Sequence, residues 1–141
     1  MNTKELMLGD LVNYRPGWIN EETGKPEYEF ESMFPVRVIF ITPDAVQYDE
    51  NMPDDSIITI EAADYELFPI PLTPEFLEKN GFVACQFWHE YKDGNITIQA
   101  CIPSIRMKNG PCELEIKEGV HYVHQLQQLF RLCGIEKEIE L

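Results

Sequence analysis

The sequence predicts an α+β fold in two parts. Residues 1–70 make a small antiparallel β-barrel lobe, and residues 71–141 make a short helix, an antiparallel β-meander and one covering C-terminal helix. Three observations predict it. The first half holds five short apolar runs and no long helical period. The stretch Pro69–Phe82, PIPLTPEFLEKNGF, ends one composition and begins another. Residues 119–133 then carry apolar side chains at helical spacing, after two alternating hairpins.

In the first half, Gly9-Asp10 is a turn signal and Leu11–Tyr14 reads as a strand. Residues 15–33 carry Pro16, Gly17, Gly24 and Pro26 among acidic residues, which predicts a long loop or an extended hairpin tip. Trp18, Ile19, Tyr28 and Phe30 argue against disorder there. Phe34–Ile41 is the strongest strand, rich in β-branched and aromatic residues. Pro43-Asp44 turns the chain, Ala45–Tyr48 returns it, and Asp49–Ser56 is an acidic loop. Ile57–Ile60 and Tyr65–Ile70 complete the set. This order looks like an SH3-like barrel, an analogy of fold that carries no function.

The hinge follows from backbone chemistry. Pro69, Pro71 and Pro74 hold the chain extended, so no helix begins before Thr73. Thr73 suits the N-cap, Pro74 the first helical position, and Leu72 with Leu77 a hydrophobic staple. Glu75 favours the positive end of the dipole, and Asn80-Gly81 is a left-handed stop. Gln86–Tyr91 and Asn95–Ile102 flank the turn Lys92-Asp93-Gly94. Ser104–Met107 and Cys112–Lys117 flank Lys108-Asn109-Gly110-Pro111. Ile96, Ile98, Ala100 and Ile102 alternate with Thr97, Gln99 and Cys101, which leaves one apolar face to be covered. Gly119–Cys133 supplies the cover through Tyr122, Val123, Leu126, Leu129, Phe130 and Cys133, and Gly134 stops it. Ile135–Leu141 alternates and predicts a last edge strand whose charges discourage aggregation.

Composition narrows the function classes. A length of 141 residues suits one domain, or two small lobes sharing a core. The formal net charge of −14 disfavours direct binding to nucleic acid or to an anionic membrane. No run approaches the ~20 apolar residues of a membrane span. The opening residues MNTKELMLGDLV show no signal-peptide pattern, and the four cysteines have no CxxC spacing. A cytoplasmic protein with reduced cysteines is the expectation.

Several residues are candidates for chemistry. His121 and His124 stand three apart at the predicted helix start, as metal ligands can, with Glu118 nearby and His89 able to approach from the sheet. A third ligand and the HExxH pattern are missing, so the plainer expectation is an exposed polar face of His121, His124, Gln125, Gln128 and Arg131 where a partner docks. Trp88 is predicted to point away from Phe87 and Tyr91 and so to lie outside the helix-covered core, where the plainer expectation is packing against the first lobe and the alternative is an interface anchor. Cys101, Cys112 and Cys133 read as small core or sheet residues, and Cys85, which follows the hinge, stays unassigned. The loop 49–56 matches a calcium loop only in charge.

The chain also resembles a family. Glu5–Val12, Pro69–Phe82, Tyr122–Gln127 and Arg131–Ile135 are similar to stretches of small uncharacterised proteins from gut anaerobic bacteria and their phages and mobile elements. The resemblance implies that a barrel-like module and a C-terminal helix recur as a unit, and it brings no activity, cofactor or binding residue.

The residues therefore point to a non-enzymatic protein-binding or accessory protein without a cofactor, compatible with self-association. Its expected binding residues are Trp88, His121, His124, Gln125 and Gln128. Two rival classes remain. One is a small metal-dependent enzyme using His121, His124 and an acid; the other is an acidic mimic of DNA.

Overall fold

A computed structural model of the chain describes residues 5–41, 46–51 and 57–141. It is α+β and mostly antiparallel sheet, and it divides into two compact units, Met1–Ile70 and Pro71–Leu141. Among the described residues no helix is long and apolar enough to cross a membrane.

The first unit contains β1 (Leu11–Tyr14), β2 (Gly17–Ile19), β3 (Pro26–Tyr28), β4 (Phe34–Ile41), β5 (Val46–Asn51), β6 (Ile57–Ala62) and β7 (Leu67–Phe68). Five of them form one sheet in the order β6-β5-β4-β1-β7, while β2 and β3 pair as a separate ribbon. No closed barrel is found among the described residues: the edge strands β6 and β7 do not pair with each other. The period of two places Val36 and Val38 on one face, and Val12 stands opposite Val36. These three, with Leu6, Ala62 and Leu67, make a core against which Tyr14 packs.

Of the long loop and the hairpin tip open for residues 15–33, the chain takes the hairpin, through β2 and β3. Two expectations change here. β5 runs on to Asn51, so Asp49 and Glu50 belong to a strand; Pro43-Asp44 and the rest of the acidic loop lie outside the described residues. Tyr65–Ile70 is not one strand. Asp64–Glu66 forms a 3-10 turn, and only Leu67–Phe68 pairs. Glu66 closes that turn on itself: its N–H donates to the Ala63 carbonyl at 3.0 Å, and its Oε2 accepts the Ala63 N–H at 2.9 Å. Pro69 then has no donor with which to extend the ladder.

The second unit contains α1 (Pro74–Lys79), β8 (Val83–Cys85), β9 (Trp88–Asp93), β10 (Ile96–Cys101), β11 (Ser104–Asn109), β12 (Cys112–Ile116) and α2 (Val123–Leu132). The strands form a meander in the order β12-β11-β10-β9-β8. The α1 helix begins as its chemistry dictates, with Pro74 at the first position and the Thr73 hydroxyl accepting the Phe76 N–H at 3.2 Å. Leu72 and Leu77 are both buried, as a staple requires. Registers set the sheet's two faces. Ile98, Ala100, Ile105 and Met107 point to the buried side; Thr97, Gln99, Arg106 and Lys108 point to the other. Val123, Leu126 and Phe130 bury the matching stripe of α2.

Here β8 is an additional strand, and Gln86-Phe87 is a turn rather than the start of β9. Gln86 takes a left-handed backbone (φ 51°), which lets β8 and β9 close as a tight hairpin. The C-terminal helix starts at Val123, not Gly119. Gly119 has φ 105°, Val120 donates to the Pro103 carbonyl, and Tyr122 bridges Pro71 in extended conformation. Residues 135–141 form no strand. Their backbone is claimed by a side chain instead: Asn80 Nδ2 donates to the Glu140 carbonyl and Asn80 Oδ1 accepts the Glu140 N–H, both at 2.8 Å. Lys79 Nζ also donates to the Leu141 carbonyl.

Asn80 is buried and serves both α1, through the Phe76 carbonyl, and the tail. Asn80→Ala orphans the Glu140 N–H and is expected to cost about 1–3 kcal/mol of unfolding free energy. Limited proteolysis after Gly134 should accelerate in parallel; an unchanged denaturation midpoint would contradict this role.

Candidate protein-interaction surface

The β2–β3 ribbon is the feature of the first unit that a compact sheet does not require. Its local chemistry is simple. The Asn20 side chain accepts the N–H groups of Glu22 (2.9 Å) and Thr23 (3.1 Å), and its Nδ2 donates to Glu27 Oε1 at 2.7 Å. The Asn20 backbone closes the same turn, its N–H donating to the Lys25 carbonyl at 2.9 Å and its carbonyl accepting the Gly24 N–H at 2.8 Å. Gly17 is the point of closest approach, since a Cβ there would lie 2.4 Å from the Glu27 carbonyl oxygen and 2.8 Å from Tyr28 Cδ1. Only glycine fits.

Several contacts pin the ribbon to its own unit. The Gly17 N–H donates to Glu66 Oε1 at 3.0 Å, and the Tyr28 hydroxyl donates to the Tyr65 carbonyl at 2.9 Å. The Arg15 guanidinium lies 4.3 Å from the centre of the Tyr28 ring and donates to the Phe30 carbonyl. The Tyr28 ring also sits 5.6 Å from that of Phe68. Gly17 and Tyr28 therefore share the inward face. Trp18 pairs with Glu27 on the other.

That arrangement leaves a run of apolar side chains in water. Trp18, Ile19, Phe30, Met33 and Phe34 are each 41–50% exposed. They alternate with five glutamates, Glu21, Glu22, Glu27, Glu29 and Glu31, while Lys25 is the one base between Gly17 and Phe34. Exposed apolar groups concentrated in one stretch of chain and interleaved with one sign of charge mark a candidate docking segment better than scattered exposure does.

The second unit places the residues singled out by sequence differently from one another. Trp88 is half-buried on the sheet face opposite the core, with Arg106 lying 5.0 Å over its ring. Arg106 also donates to Glu115 at 3.1 Å. Phe87 does not share a face with Tyr91: it tops the β8–β9 turn at 85% exposure, whereas Tyr91 packs beside Phe82 at 5.5 Å. The outer sheet face carries a depression of about 280 Å³ lined by Thr97, Gln99, Arg106, Lys108, Glu113 and Glu115. Hydrogen bonds from Lys92, and then from Gln99, hold the Glu90 carboxyl on this face below the usual carboxylate range. Its charges are balanced, Glu90, Glu113 and Glu115 against Lys92, Arg106 and Lys108.

His121 and His124 do not present one exposed face. His121 is exposed ahead of α2, and His124 is 2% exposed inside it, its ring stacked on Tyr122 at 5.8 Å. The late helix start leaves His121 outside α2, whereas the helical period sets His124 beside Gln127, also buried, at the edge of the apolar stripe. Gln125 is occupied: its Oε1 accepts the N–H groups of His121 (2.9 Å) and Tyr122 (3.1 Å), which satisfies donors at the helix entrance. Gln128 is half-buried, and Arg131 is exposed. Among the described residues no three His, Cys, Asp or Glu side chains gather as metal ligands.

In the sequence, Trp18, Ile19, Tyr28 and Phe30 argue against disorder without singling out a binding residue. The signal was present in the aromatic and acidic interleaving of residues 17–34. No family model, curated protein or solved structure matches the chain.

Two substitutions test these placements. Glu66→Ala removes the acceptor for both the Gly17 and Ala63 N–H groups, and is expected to cost about 1–3 kcal/mol; hydrogen exchange should quicken in residues 17–28. In the helix, His124→Ala is expected to lower stability by about 1–3 kcal/mol while His121→Ala stays within about 0.5 kcal/mol. Equal effects in denaturant titrations would contradict the burial difference.

Proposed function

We propose that this is a cytoplasmic, non-enzymatic protein-binding or accessory protein whose first unit presents the 17–34 segment to a basic partner. One observation carries the reading: five apolar side chains stay half-exposed on a backbone held by Glu66, Tyr28 and Arg15. Pre-organisation of this kind lowers the entropy lost on binding, and rigid aromatic groups make efficient anchors. The glutamates around them favour lysine and arginine on the partner, through steering and complementarity. A second copy of this chain would bring like charges together, so a different, basic protein is the better occupant. The strand order β6-β5-β4-β1-β7, with a hairpin inserted between β1 and β4, supports the SH3-like reading of this unit, a likeness of fold alone.

The rival readings have less support. An enzyme using His121 and His124 would need a shared site, and one of the two is exposed while the other is buried. A DNA mimic would carry acids without the intervening apolar groups.

The test is a calorimetric titration with two synthetic peptides of the same apolar residues, one flanked by lysine and arginine, the other by glutamine. The basic peptide is expected to bind, and Trp18→Ser to weaken it roughly tenfold, as loss of a buried anchor does. Part of the affinity should survive high salt, because apolar burial is unscreened. Equal binding of both peptides, or affinity untouched by Trp18→Ser, would overturn the reading. Affinity that vanishes completely with salt would favour the DNA mimic.

A further inference from the structure

The second unit brings two cysteines together that sequence spacing keeps apart. Cys112 opens β12, and Cys133 caps the end of α2. Their Sγ atoms lie 3.4 Å apart, at a sequence separation of 21 residues. We propose that Cys112 and Cys133 form a redox-modification site, a thiol pair that a low-molecular-weight disulfide such as oxidised glutathione converts to an intramolecular disulfide. This inference is independent of the partner proposal, which concerns the other unit.

The geometry supports it in three ways. First, the sulfurs need close by only roughly 1.4 Å to reach the ~2.0 Å of a covalent bond. Second, both ends are already held: Cys112 stands opposite Asn109 in the β11–β12 ladder. Asn109, at the end of the neighbouring β11, donates from Nδ2 to the Cys133 carbonyl at 2.9 Å and to the Gly134 carbonyl at 3.3 Å. The Ile135 N–H returns to the Phe130 carbonyl at 2.8 Å and fixes the helix terminus. Third, the pairing is selective. Cys85 and Cys101 lie on the sheet's opposite face, by the registers Cys85↔Trp88 and Cys101↔Ser104.

Exposure sets the order of events. Cys112 is half-buried and Cys133 is 3% exposed. Burial, and then the neighbouring Cys112 sulfur, push the Cys133 thiol up to about 11, which keeps it protonated and shielded from outside reagents. The Cys112 thiolate attacks the reagent's disulfide, forms a mixed disulfide and releases one thiol. The Cys133 sulfur then attacks the Cys112 sulfur, and its proton leaves with the second departing thiol. The protein loses two electrons and two protons; the reagent's disulfide is reduced to two thiols. The product closes the β12–α2 connection into a covalent loop and ties the helix terminus to the edge of the sheet.

The experiment uses the intact chain, freed of reductant and incubated with oxidised glutathione. Titratable thiols are expected to fall from the four of the sequence to two. The intact mass should show the loss of two hydrogens and no retained glutathione, and peptide mapping should join Cys112 to Cys133. The thermal midpoint should rise by roughly 5 °C or more, as closing a loop of this size predicts. Cys101→Ser should still form the cross-link, and Cys112→Ser should not. A glutathione adduct that persists on Cys112, a cross-link that includes Cys85 or Cys101, or four thiols remaining in the folded protein would each overturn the proposal.

Discussion

Glu66 receives three backbone donors: Gly17 N–H at Oε1, Ala63 N–H at Oε2, and Arg15 N–H at its main-chain carbonyl. A carboxylate that collects amides from the 3-10 turn and the ribbon base does in one residue what a longer ladder would otherwise do. Charge-assisted bonds of this kind are the stronger ones. The ribbon itself has three residues per strand and would not hold its shape alone. Its shape comes from that carboxylate, from the Tyr28 hydroxyl and from Arg15 stacked on the Tyr28 ring. The apolar residues of 17–34 are displayed because their backbone is spoken for.

The second unit repeats the device with amides. Asn80 ends α1 and holds the tail; Asn109 caps the carbonyl end of α2; Gln125 accepts two donors where the chain enters that helix. Each satisfies groups that a helix end or an irregular segment leaves without partners. Polar residues that look like a surface for a partner are thereby absorbed into the fold. The neutral amide suits the task, since it donates and accepts at once with no charge to desolvate.

Charge divides between the units in a way the total of −14 conceals. The outer sheet face of the second unit alternates Lys92, Arg106 and Lys108 with Glu90, Glu113 and Glu115, and its charges engage one another. The 17–34 segment carries five glutamates, and among the described residues just one of them, Glu27, has an amide on its carboxylate, that of Asn20. Unengaged like charges beside exposed aromatics favour an outside cation.

By itself the sequence determined what depends on neighbours along the chain. The α1 cap, Leu11–Tyr14, Phe34–Ile41 and the alternation of Ile98 with Thr97 follow from proline, β-branching and period two, which act within a few residues. Tertiary structure alone decided what depends on distant partners. The helix begins at Val123 because the His121 carbonyl is taken by the Leu72 N–H and Tyr122 is bridged to Pro71. His121 is left outside the helix for the same reason. The tail is no strand because Asn80, 60 residues earlier in the chain, holds its backbone. Glu66 binds Gly17 across 49 positions, and Cys112 meets Cys133 across 21. Local propensity fixes the conformation of a residue; which groups then meet is set by the packing of whole elements, and that information is spread over the chain rather than written at any one position.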